Sequence, residues 1–274
     1  MSDLTCKHFK ECGGCALLDL PYPQQIAQKK AHLADLLKDF WQQDIPVTVT
    51  DNPVYFRNKV ELGFCHQVKW DPNYNKKDPA NKTRPLVFEQ TLGFKLKGKW
   101  DRAVDIQECI LFDDKLISLL NAVRAWAQQQ NLPYYDQRKH TGVLRHLMVR
   151  EGKNTGEGLV VLFVTNDFDE KSFVAAVESV YPAFSIMSAV NTGLADTAAP
   201  ESLKVLKGKD YFVEKILLTD AAGQTEREVL FKLSAQSFFQ TNTKTAQKMY
   251  SRVRGLVKQI APKIIYDLYG GAGS

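Results

Sequence analysis

Long apolar runs are missing from this chain. Nowhere in its 274 residues do apolar side chains approach the roughly 18 consecutive positions that span a bilayer. The opening MSDLTCKHFK also lacks the apolar core of a secretory leader, so the expectation is a cytoplasmic protein with no membrane partner. Cysteine is scarce: five residues, an odd number, do not make the dense disulfide framework of a small secreted fold. Charge of either sign is ordinary in amount, and a net +5 suits a polyanionic partner without requiring one. There is no internal repeat and no low-complexity tract.

What is present is enough apolar residue, 44%, to build one large core or two smaller ones. PQQIAQKKAHLADLLKDFW places Ile26, Leu33, Leu36, Leu37 and Phe40 at helical spacing and predicts an amphipathic helix that packs the N-terminal arm down. VELGFCHQVKW and LVFEQTLGFKLKGKW favour strands, with KGK as a tight turn, and the polar residues 71–85 between them read as an exposed loop. GLVVLFVT, EKSFVAAVESVY and FSIMSAVNTG make one βαβ-like unit. Residues 211–234 look like two strands around a polar, glycine-bearing turn. A last amphipathic helix then carries Ala246, Met249, Tyr250, Val253, Leu256, Val257 and Ile260, and IIYDLYGGAGS follows as a short strand entering a glycine-rich turn, the way nucleotide-type βαβ folds begin. Basic residues gather in KLKGKW (95–100), QRKHTGVLRH (137–146) and YSRVRGLVK (250–258).

Three of the five cysteines, Cys6, Cys12 and Cys15, fall within ten positions, so a short loop can wrap three thiolates around one inorganic centre. A fourth ligand has to come from Cys65, Cys109 or His8. Four thiolates suit tetrahedral zinc or an iron–sulfur cluster, and spacing alone does not choose between them or exclude a metal-free arm.

Six blocks in order, CKHFKECGGCALLDLPYPQQIAQKK, YFRNKVELGF, LGFKLKGKWDRAVDIQEC, HTGVLRHLMVRE with TGEGLVVLFVT, LSAQSFFQTNTKTAQKMY and IIYDLYGGAGS, resemble the S-adenosylmethionine-dependent RNA (uracil-5-)-methyltransferases, the family that forms 5-methyluridine in tRNA and rRNA. The resemblance implies a fold class: an α+β central domain with an iron–sulfur-binding N-terminal arm, followed by the first helix and strand of a Rossmann-like methyltransferase domain. The implied boundaries are 1–30 for the arm, 31–235 for the RNA-facing domain and 236–274 for the start of the cofactor domain. It implies a [4Fe-4S] cluster on Cys6, Cys12, Cys15 and Cys109, with Cys65 left over as a buried thiol. S-adenosylmethionine is expected against Gln240 and Tyr269, with the backbone of Gly271 and Gly273 close by. Gly270 stands where many members of the family have cysteine.

In this family a cysteine thiolate adds to uracil C6, C5 attacks the cofactor methyl group, and a carboxylate removes the C5 proton. The family pattern places both groups beyond the first cofactor motif. The nucleophilic cysteine and the general base are therefore expected C-terminal to Ser274, and no catalytic residue is assigned within the chain. These 274 residues are expected to be the front of a longer enzyme, inactive alone and monomeric. RNA is the expected partner, with Arg57, Lys59, Arg145 and His146 as candidate contacts. The absence of an extra RNA-binding module before the cysteines resembles the shorter members and favours large-subunit rRNA over uridine 54 of tRNA. Rival readings are a zinc-stabilised RNA-binding module without catalysis and, from another class, an iron–sulfur electron carrier.

Overall fold

The structure, a computed structural model, describes residues 4–69, 77–82, 86–268 and 270. Seven strands form one mixed sheet in the order β3-β2-β1-β4-β5-β6-β7: β1 (Lys59–Val68), β2 (Phe88–Lys95), β3 (Ala103–Val104), β4 (Leu144–Glu151), β5 (Gly158–Val164), β6 (Ser185–Val190) and β7 (Ser202–Lys207). All neighbours are antiparallel except β5 and β6. That parallel pair is joined by the crossover helix α4 (Glu170–Glu178), whose cap Asp169 accepts the Ser172 amide at 3.2 Å. A separate hairpin follows, β8 (Tyr211–Thr219) with β9 (Thr225–Ser234).

The sheet is covered on both sides, which is why GLVVLFV reads as an unbroken apolar run with every residue buried. One face sends Leu62, Phe64, Leu147, Val149, Val160 and Leu162 against α4 and the helix α3 (Lys115–Gln129). The other sends Met148, Leu159, Val161, Phe163 and Met187 against Phe212, Ile216 and Leu233 of the hairpin. Each fully buried side chain of this size contributes roughly 1.5–3 kcal/mol. The helix α3 has no counterpart among the elements expected from sequence, although Leu116, Leu119, Leu120, Val123 and Ala127 repeat at helical spacing and are fully buried.

Three expectations need correction. The first helix, α1 (Tyr22–Leu37), buries none of its residues, and Leu33, Leu36, Leu37 and Phe40 are exposed, the last at 87%. Only its first turns approach the arm: Tyr22, Gln25, Ile26 and Lys29 share a cavity with Cys15, Leu17 and Leu18. Within 71–85, only 77–82 fall among the described residues, and Pro79–Lys82 form a short helical turn, α2. The last helix, α5 (Thr243–Ile260), is present, capped by Asn242, which accepts the Thr245 amide at 3.0 Å, and ended by Ala261 in a left-handed conformation before Pro262. The strand expected after it is not formed at 264–268, where Ile264, Ile265, Tyr266 and Leu268 stand exposed. A parallel strand takes its hydrogen bonds from neighbouring strands, and no described strand lies beside this one. Among the described residues no helix is long and apolar enough to cross a membrane.

Candidate functional site

The N-terminal arm is stitched to the far end of β2 and to the segment after β3. Residues 6–12 coil through tight turns, with the Phe9 amide on Cys6 O at 3.0 Å and the Cys12 amide on His8 O at 2.9 Å. Cys12 then pairs with Leu96 in an isolated antiparallel bridge, flanked by Gly13 N to Lys95 O at 3.0 Å and Lys97 N to Glu11 O at 2.7 Å. A second set of bonds fixes the segment that carries Cys109. The Gln107 amide donates to His8 Nε2 at 2.9 Å, and the Lys7 amide donates to Glu108. His8 therefore spends its Nε2 lone pair on backbone.

The outcome is one cavity of about 60 Å³ lined by Cys6, Cys12, Cys15 and Cys109, closed by Leu18, Phe94, Ile106, Ile110 and Leu111. The thiols act on one another. Burial raises Cys6 and Cys12 above the ordinary thiol range, and the other thiols add to it. Cys15 is pushed up to about 11, by burial first and then by Cys12, Cys109 and Cys6. The Gly14 amide donates to Cys12 Sγ at 3.3 Å. Among the described residues no three His, Cys, Asp or Glu side chains close on a point that one metal ion could occupy. As a donor set, four soft sulfurs in a mostly apolar wall suit a thiophilic metal ion or an iron–sulfur group alike.

A short strap, residues 55–58, links this cavity to the segment bearing Gln240. On one side the Tyr55 and Arg57 amides donate to Ile110 O (2.7 Å) and Leu111 O (2.8 Å), directly after Cys109, and Arg57 lines the cysteine cavity. On the other, the Asn58 amide donates to Thr241 O at 2.9 Å, and its side-chain Nδ2 donates to Gln240 O at 2.7 Å and Thr243 Oγ1 at 2.9 Å. Thr243 in turn donates to the fully buried Glu214 at 2.7 Å, which also accepts the amides of Lys153, Asn154 and Lys215. Arg150, also buried, donates to the carbonyls of Ser234, Ala235 and Ser237, and its burial lowers its pKa to about 10. The loop 234–243 is thus clamped by three buried polar side chains, Asn58, Arg150 and Glu214, none of which sequence reasoning singled out for this. The signal available was a charged or amide residue at alternating positions of apolar strands. Gln240 itself is half-buried on this loop. Tyr269, Gly271, Gly273 and Ser274 lie outside the described residues, so the expected aromatic and glycine contacts to the cofactor, and the Ser274 boundary beyond which the nucleophile and base are expected, have no structural counterpart here.

Cys65 is fully buried beneath Lys95, whose Nζ lies 3.6 Å from the sulfur, and burial raises its thiol to about 11. Of the four expected RNA contacts, two are sealed inside. Arg145 is wholly buried, stacks over Tyr135 at 4.3 Å and donates to the carbonyls of Asn191, Gly193 and Ala195, so it straps down the loop 191–201. His146 is buried too, 3.5 Å from Asp196, and burial lowers its pKa to about 4. Arg57 faces the cysteine cavity, and Lys59 pairs with Glu61 at 2.6 Å. Every residue of β4 before Glu151 is buried, Arg145 and His146 among them.

No family model matches the chain. Curated proteins do: an uncharacterized RNA methyltransferase of Clostridium tetani is 31% identical over 284 residues, covering 99% of this chain and 56% of the relative. One of Caldanaerobacter subterraneus is 33% identical over 278 residues, covering 98% and 55%. The chain thus spans about half the length of these relatives. Among solved structures, the Pyrococcus abyssi tRNA (uracil-54, C5)-methyltransferase in complex with S-adenosyl-L-homocysteine superposes with a TM-score of 0.65 at 22% identity, over 93% of this chain and 52% of that one, and so shares its fold. Along nearly all of its length the chain is thus similar to proteins named RNA methyltransferases, and it shares the fold of a tRNA (uracil-54, C5)-methyltransferase.

Proposed function

We propose that this chain serves methyl transfer from S-adenosylmethionine to C5 of a uridine in RNA, with large-subunit rRNA as substrate and tRNA uridine 54 as the alternative. The supporting observation is likeness to RNA methyltransferases along 98–99% of the chain. The domain division follows the same reading: an arm at 1–30, an RNA-facing body at 31–235 and the start of the cofactor domain from 236. Gln240 and Tyr269 contact the cofactor, which supplies an electrophilic methyl group when bound. The clamped loop 234–243 fixes where the Gln240 amide, able both to donate and to accept, is presented.

Cys6, Cys12, Cys15 and Cys109 hold a [4Fe-4S] cluster. Support comes from their meeting at one cavity although Cys109 stands 94 positions after Cys15. The cluster ties the arm to the body; methyl transfer needs no electron from it.

These residues alone transfer no methyl group. The reaction needs a thiolate at uracil C6, and four of the five thiols ring the cavity while the fifth, Cys65, is buried and protonated. In this reading the attacking thiolate and the base that takes the C5 proton lie in the part of the relatives' length that this chain does not span. The test uses tritiated S-adenosylmethionine with unmodified rRNA and tRNA transcripts. The 274-residue chain is expected to incorporate nothing, and robust turnover by it refutes the assignment. Completed with the remaining half that its relatives possess, it is expected to form 5-methyluridine in rRNA; modification of tRNA alone selects the alternative.

A further inference from the structure

Two of the three basic segments in the sequence, 95–100 and 137–146, are well separated along the chain, yet the fold brings their turns together at one end of β1. The turn after β2 returns as Ala103, whose amide donates to Gln67 Oε1 at 2.7 Å. The turn 136–141 lies against the same strand, with the His66 amide on Tyr135 O at 3.0 Å. The two turns are joined by Arg138, which donates to Asp101 from Nε at 2.6 Å and from Nη2 at 2.5 Å. Their acids are nearly buried and hold two of the cations at the surface, Arg138 on Asp101 at 2.5 Å and Lys139 4.0 Å from Asp136. Asp101 and Asp136 are only 9% and 7% exposed, whereas Lys97, Lys99, Arg138 and Lys139 stand in solvent. Asp136 is held by the amides of Arg138 and Lys139 at 2.9 and 3.1 Å, which fixes the turn that displays them.

Aromatic rings interleave with these cations. Trp100 is 60% exposed at the tip of the first turn, its carbonyl held by Lys95 Nζ at 2.9 Å. Phe88 is 45% exposed, stacked on His66 with the rings 5.1 Å apart and 1° from parallel, with Lys139 Nζ 5.6 Å from its centroid. An outward layer of cations alone fits any polyanion. Exposed flat rings among them fit one whose monomers carry an unpaired aromatic base beside each phosphate.

We propose that Lys97, Lys99, Trp100, Arg138, Lys139 and Phe88 form a docking strip for single-stranded RNA, with bases stacking on Trp100 and Phe88 and phosphates on the cations. This deepens the RNA reading above and rests on it. The strip replaces the buried Arg145 and His146 as the place where RNA meets the body of the protein. Its location beside the cysteine arm, which pairs with Leu96 and Lys97 at the root of the same turn, gives the arm a way to hold the strip in place.

The test is fluorescence anisotropy of a labelled oligouridine with the 274-residue chain across a salt series. Trp100→Ala is expected to weaken binding about tenfold or more. The combined Lys97→Gln, Lys99→Gln, Lys139→Gln variant is expected to flatten the log–log salt slope by about 2, from roughly 0.7 per phosphate contact on a single strand. All four side chains are exposed, and circular dichroism matching the parent confirms that the variants fold. Wild-type binding that both variants retain overturns the strip while leaving the RNA reading standing. Loss with the lysine variant but not with Trp100→Ala also overturns it, since a charge-only surface is no base reader. Failure of the wild type to bind RNA at all overturns strip and RNA reading together.

Discussion

Asn58→Ala isolates the strap that joins the cysteine cavity to the loop bearing Gln240. The substitution deletes two donors, to Gln240 O at 2.7 Å and Thr243 Oγ1 at 2.9 Å, each contributing about 1 kcal/mol net. Against this, Asn58 Oδ1 is buried with no partner among the described residues, and its removal relieves part of a desolvation cost of about 1 kcal/mol or more. Thr243 stays tied to Glu214, so the carbonyl of Gln240 is the group left bare. The balance is a local loss of about 1–2 kcal/mol, a factor of roughly 5–30 in the ratio of open to closed loop. Backbone pairing is untouched, since Asn58 N still donates to Thr241 O and Asn58 O still accepts from Glu151 N. Native-state hydrogen exchange of the Thr245 and Ala246 amides, which bond to Asn242 Oδ1 and Asn242 O, reads this opening directly. Their exchange should speed up roughly 5- to 30-fold while the amides of β5 keep their protection. A change under about twofold would refute the clamp, and an equal rise in β5 would show a global loss rather than a loosened loop.

Other consequences follow from the same geometry. Anaerobic reconstitution should yield iron and acid-labile sulfide in equal amounts on the wild type and on Cys65→Ala but not on Cys109→Ser, whereas zinc without sulfide would replace the cluster by a single ion. Burial holds His146 neutral, with a folded pKa near 4 against about 6.5 unfolded. Its contribution is therefore complete above about pH 6.5 and lost as pH falls towards 4, up to about 3 kcal/mol. Urea unfolding at about pH 7.5 and about pH 5 should show that slope, and His146→Leu should flatten it; a slope unchanged in the variant assigns it to other groups. Gly93→Ala would set a methyl 1.8 Å from Val104 O, so β3 must move away from β2, and the segment leading to Cys109 with it. Thermal melting should drop by several degrees and iron retention should fall; a variant that melts like the parent would mean the two strands are free to separate there.

How far the residues announced this arrangement depended on how local each feature was. The crossover unit over 158–190, the hairpin over 211–234 and the final helix came out where their patterns lie, because apolar alternation, helical spacing and an Asn cap are written within a dozen positions. The first helix shows the limit of the same signal. Its spacing was correct and its burial was not, since periodicity says which residues share a face and nothing about what covers that face. Arg145, His146 and Arg150 show it more sharply. LRHLMVRE sets cations into an apolar strand, and its place beside the basic segment 137–146 makes Arg145 and His146 look available for RNA. They are sealed because the loops 191–201 and 234–237, both remote in sequence, lend carbonyls to the two arginines, and Asp196 stands beside the histidine. A buried guanidinium ringed by carbonyls holds two loops in fixed positions, and losing it leaves several acceptors bare at once. Among the cations that do stand at the surface are those on the turns 95–100 and 137–140. There Asp101 and Asp136 are turned inward and anchor the turns, with Arg138 and Lys139 paired to them at the surface, while Lys97 and Lys99 stand exposed.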